Sequence, residues 1–168
     1  MSKKLLLLLL LYTTTINVIG KKETKILWGS KVNYEVETLT TATRGTKLIK
    51  VWAFDSNVDK AIIQAKKNAI SAAIFKGYPA GGSANATPPL LTDPNAEQTH
   101  HEYFNTFFAT GGEYLNYVVN TSDQAPSGLN RLKVSKGYKV GIVVQVNYEN
   151  LRKKLINDGI IRGLNTGF

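Results

Sequence analysis

Between Asn57 and Pro79 the chain reads NVDKAIIQAKKNAISAAIFKGYP, and this stretch restricts the available folds more than any other. At 3.6 residues per turn, Val58, Ala61, Ile62, Ala65, Ala69, Ala72 and Ala73 cover one broad side, joined by Ile63, Ile70 and Ile74. A helix buried mainly through alanine can bring its axis close to its support, and a β-sheet accepts that approach. Lys60, Gln64, Lys67, Asn68 and Ser71 form the expected solvent side. Ser56 or Asn57 caps the first turn, since a short polar side chain accepts a hydrogen bond from an otherwise unpaired amide, and Asp59 suits the positive end of the helix dipole. Gly77 ends the helix and Pro79 prevents its return. Lys66 falls among the apolar positions. Burying its ammonium unpaired is costly, so its methylenes are expected to lie on the core and its charge to reach water. A catalytic lysine needs a depressed pKa and a pocket, and its sequence neighbours suggest neither.

The flanking segments supply the sheet. In KVNYEVETL, Val32, Tyr34 and Val36 alternate with Asn33, Glu35 and Glu37, the pattern of a half-buried strand. TKLIKVWAFD places Ile49, Val51 and Ala53 on one face, with Leu48, Lys50, Trp52 and Phe54 on the other, as expected of a more central strand. Arg44-Gly45 marks the turn that makes the two a hairpin. Near the C-terminus, two further strands join through a tight turn at Lys136-Gly137. The second carries Tyr138, Val140, Ile142, Val144, Val146 and Tyr148 on one face, and a helix begins near Glu149. The face with Lys139, Gly141, Val143, Gln145 and Asn147 is left for solvent or a partner.

Between these halves lies a Gly-, Pro- and Asn-rich loop from Tyr78 to Gln98. A second helix is expected from about Asn95 to Thr110, with Tyr103, Phe104, Phe107 and Phe108 as its aromatic face, followed by a strand over EYLNYVVNT. The expected fold is therefore α+β: an antiparallel sheet of four or five strands against the long Ala-rich helix, with one or two further helices. Residues 21–168 form one domain, with an inserted loop and helix at about 78–112.

The N-terminus, MSKKLLLLLLLYTTTINVIG, has the layout of a secretory signal peptide over residues 1–20, with cleavage expected after Gly20. Thr13, Thr14, Thr15 and Asn17 interrupt the apolar run before the ~20 residues that a membrane span needs. Cysteine is absent from all 168 residues, which removes disulfides, thiolate chemistry and a lipidation site, so an exported domain of this size has to rest on its core alone. The formal charge of +9 falls to +7 without Lys3 and Lys4. The lysines are scattered, without the aromatic-interleaved basic motifs of nucleic-acid modules, so nucleic acid is not an expected partner and contact with anionic surfaces would be weak and electrostatic.

The Leu48 to Gly77 and Leu132 to Leu155 segments, with AIxQAKxNAIxAA in the first and VxVNYENLRKKL in the second, resemble the N-terminal domain of flagellar assembly protein T and the small bacterial outer-membrane lipoproteins related to it. The match covers roughly a third of the mature chain. It departs from the group in lacking a lipidation cysteine and in carrying the Tyr78 to Tyr117 region. The resemblance implies a small α+β accessory part of a cell-envelope assembly. It transfers no catalytic residues and implies no flagellar role.

For chemistry, the one metal-like cluster is EQTHHE: on a continuous helix Glu97, His100 and His101 stand at i, i+3 and i+4 and could reach one ion. The more ordinary reading is a polar first turn, since adjacent histidines point apart. There is no G-x-S-x-G elbow, and Gly81-Gly82 lacks the Gly-Lys-Ser/Thr of a phosphate loop. The reading is an exported, periplasmic or outer-membrane-associated accessory protein: a non-catalytic binding or structural module, without cofactor or metal, with a protein partner in the envelope. The alternatives are a metal-dependent enzyme using Glu97, His100 and His101, or a basic module binding anionic lipid or polysaccharide.

Overall fold

The computed structural model describes residues 28–41 and 45–163. The expected signal peptide and its cleavage point lie outside the described residues. The strands are β1 (Glu35–Thr41), β2 (Lys47–Asp55), β3 (Val118–Asn120), β4 (Arg131–Val134) and β5 (Gly137–Val146). The helices are α1 (Val58–Phe75), α2 (Ala96–Thr99), α3 (His101–Phe107) and α4 (Tyr148–Asn157). All strand pairs are antiparallel. β1 pairs with β2 and β2 with β5, while β3 and β4 share the other edge of β5. The fold is thus α+β with five strands, and β1 with β2 forms the expected hairpin.

Period-two alternation holds closely in the central strands. Ile49, Val51 and Ala53 of β2 and Val140, Ile142, Val144 and Val146 of β5 are buried under α1. Asn57 caps α1, its side-chain oxygen accepting from the Lys60 amide at 2.9 Å. At the other end Gly77 takes φ +75, and a Cβ there would strike the Thr87 carbonyl oxygen. That position suits glycine alone. The exposed carbonyls of the last turn are closed from the following loop, by Leu90 N–H to Ala73 O at 3.0 Å and Leu91 N–H to Ile74 O at 2.9 Å.

The loop from Tyr78 to Gln98 is folded onto the domain. Bridges join Tyr78 to Thr87 and Gly81 to Ala84, and the Thr38 hydroxyl donates to Pro79 O at 2.6 Å, so the loop covers the outer edge of β1.

Three expectations need correction. Gln64, Asn68 and Ser71, expected to be wet, are buried, and every residue from Asn68 to Phe75 is buried. Gln64 and Asn68 lie toward β2, while the C-terminal part of α1 is covered by an aromatic cluster in which Trp28 packs on Phe75, Phe104 and Phe108 at ring distances of 5.5 to 5.9 Å. Gln64 and Asn68 tolerate this because they are paired. Gln64 Nε2 donates to Asn68 Oδ1 at 2.7 Å, and Asn68 Nδ2 donates to the Trp52 carbonyl at 3.1 Å. Second, the helix expected over Asn95 to Thr110 breaks at His100 into α2 and α3. Third, the strand expected over EYLNYVVNT begins as a 3-10 turn, Glu113–Tyr117, and only Val118–Asn120 pairs with β5.

Tyr114, in that 3-10 turn, is fully buried against Phe108, and its hydroxyl has no hydrogen-bond partner among the described residues. Tyr114→Phe removes a desolvated polar atom while keeping the ring. Urea denaturation should therefore show stability unchanged or raised by ~1–2 kcal/mol, and a loss beyond ~1 kcal/mol would contradict this packing.

Candidate functional site

With α1 on one side of the sheet, the other side is left without a helix over it among the described residues. Its side chains come from the alternate positions: Lys50, Trp52 and Phe54 on β2, Lys139, Gly141 and Val143 on β5, Leu132 on β4, Val119 on β3, and Glu35 and Glu37 on β1. Phe54 is 51% exposed, Val119 65% and Leu132 42%, which is unusual for three large apolar side chains on one surface.

The centre of this face is Trp52. In the register of the sheet it stands between Glu35 on β1 and Gly141 on β5. A Cβ on Gly141 would lie 2.9 Å from three atoms of the indole, so the ring rests directly on the glycine backbone. Any larger residue at 141 would force the indole away. Two ammonium groups approach the ring, Lys50 Nζ at 4.9 Å and Lys139 Nζ at 5.2 Å from its centroid. Lys139 is also held by Glu35, at 2.7 Å from Oε2 and 3.0 Å from Oε1. The indole thus lies on the Gly141 backbone with two ammonium groups near its ring, one of them paired with Glu35. The result is an apolar surface centred on the indole with a charged fringe, chemically suited to contact.

The residues singled out for metal binding are dispersed. The Glu97 carboxylate accepts from the Ser30 amide at 2.9 Å, the His101 ring lies 5.4 Å from the Trp28 ring, and His100 lines a cleft beside Ile160. The break at His100 and the docking of Trp28 pull the three apart, and among the described residues no group of three His, Cys, Asp or Glu could hold an ion.

Lys66 is half-buried, in keeping with a stem on the core. Lys67, expected in water, is half-buried instead: it sits 5.7 Å from the Tyr114 ring centroid, and burial lowers its pKa.

The sequence placed Trp52, Lys50 and Phe54 on one face of β2 but did not single Trp52 out. The usable signal was Gly141 inside an otherwise β-branched strand, because a glycine in a strand interior often marks a close approach. Comparison of the chain with protein-family models, with curated proteins and with solved structures finds no match.

Proposed function

We propose that this protein is an exported accessory component of the bacterial cell envelope, a non-catalytic module that holds a protein partner against the open face of its sheet. The observation that carries the reading is Trp52 seated on Gly141, with exposed Phe54 and Leu132 in the next row of the register and exposed Val119 further along the same face. An interface rich in aromatic side chains with a charged rim is the composition that protein partners select. Lys50 has no carboxylate within 4 Å among the described residues, which suits a partner presenting an acidic group beside an apolar surface. Export and the periplasmic or outer-membrane location rest on the N-terminal sequence, and the accessory role on the resemblance to envelope proteins. No helix among the described residues is long and apolar enough to cross a membrane.

Site-specific photo-cross-linking in cells tests the reading. A photoreactive residue at Phe54, Val119 or Leu132 should give an adduct of one discrete mass, while the same residue at Lys60 or Glu102 should give none. Adducts of equal yield from both sets, or none from the sheet positions, would remove the open face as the contact surface.

A further inference from the structure

At the end of the sheet where β2 begins and β5 runs into α4, a cleft of about 390 Å³ opens between the Thr87 to Thr92 segment, the start of α4 and the Ile161-Arg162 pair. Lys47, Arg152 and Arg162 line it against a single carboxylate, Glu149. The only ion pair among these four is Arg152 with Glu149, long at 4.0 Å and with both side chains partly exposed, so it neutralises little. Among the described residues Lys47 and Arg162 have no carboxylate within 4 Å. One wall is fixed, because the Tyr148 phenol donates to Pro88 O at 2.8 Å and the Lys47 ammonium stands 6.0 Å from the Tyr148 ring centroid.

Three cations facing one concavity repel each other unless an anion lies between them. Two are guanidinium groups, whose planar forks match the oxygens of a phosphate. The cleft shares Leu90, Thr92, Ile161 and Arg162 with a larger neighbour of about 810 Å³, which adds apolar Leu91, Ile156 and Ile160 together with polar Asp93, Thr99 and His100. A ligand could therefore place an anionic group among the cations and an uncharged organic substituent along the mixed polar and apolar extension.

We propose that Lys47, Arg152 and Arg162 form a binding site for the phosphate of an organic phosphate ester. The site is separate from the open sheet face and does not depend on the protein-partner reading. The phosphate could belong to a soluble ester or to a phospholipid headgroup, and the test separates these sources. The protein is titrated with glycerol 3-phosphate by NMR, and its binding to phosphatidylcholine vesicles with and without phosphatidylglycerol is measured by flotation. The titration should saturate. Lys47→Gln, Arg152→Gln and Arg162→Gln combined should weaken binding at least ~10-fold, since hydrogen bonds between charged groups are the strong ones. Lys60→Gln, Lys133→Gln and Lys136→Gln combined, the same charge loss at exposed positions elsewhere, should change it less than ~2-fold if the phosphate is read by the cleft rather than by net charge. Arg162→Gln alone, at an exposed position, should weaken binding ~3-fold and serves if the first triple variant does not fold. Flotation with phosphatidylglycerol that glycerol 3-phosphate competes away would assign the phosphate to a lipid; a saturating titration without flotation would assign it to a soluble ester. Absence of both saturable titration and flotation, or equal weakening in the two triple variants, would overturn the site.

Discussion

Ala65→Lys should unfold most of the protein, whereas Lys66→Met, one position along, should leave stability within ~1 kcal/mol. Ala65 is fully buried in the helix that contacts both β2 and β5. A lysine there has to push α1 off the sheet, and overpacking of that kind costs ~1–3 kcal/mol before its charge is desolvated. With desolvation added, the loss should exceed ~4 kcal/mol, which is comparable with the whole stability of a marginal domain. Lys66 is only half-buried, so methionine keeps the stem contacts and removes a charge that makes none of the described ion pairs. Urea denaturation of the two variants decides the matter. A tolerated lysine at 65 together with a loss of several kcal/mol at 66 would mean that α1 presents a different side to the sheet.

Much of this arrangement was legible because it follows from short-range pattern. The alternation in KLIKVWAFD and YKVGIVVQV gave the buried face of the sheet, and Asn57 with Gly77 gave the two ends of α1 to within a residue. What was not legible depends on contacts distant in sequence. Gln64 and Asn68 look solvent-facing on any hydrophobic pattern, and only their mutual bond and the Trp52 carbonyl explain their burial. Trp28 has no period to betray it, yet it anchors the aromatic layer that covers α1. His100 and His101 looked convergent on a continuous helix, and the break between α2 and α3 separates them. The Trp52-Gly141 contact needed the register of β2 against β5, which a single sequence does not state. The candidate site was therefore half visible: the open face could be read from alternation, but the platform at its centre could not.

That platform makes the strongest functional prediction. Phe54→Ser, Val119→Ser and Leu132→Ser combined remove three large apolar side chains that are between 42% and 65% exposed. About half of their surface is buried on folding, so stability should fall by roughly 2–4 kcal/mol in total, and the variant should remain folded. If the open face is the interface, the same change strips the apolar contacts around its Trp52 anchor, and binding should fall at least ~100-fold, equivalent to ~2.7 kcal/mol. The direct measurement is the share of protein recovered in the discrete cross-linked adduct in cells, for the wild type and the triple-serine variant, each carrying the photoreactive residue at Val134 on the same face. The account predicts that the adduct disappears from the variant while urea denaturation still shows a cooperatively folded protein. A folded variant that forms the adduct in undiminished yield would contradict it.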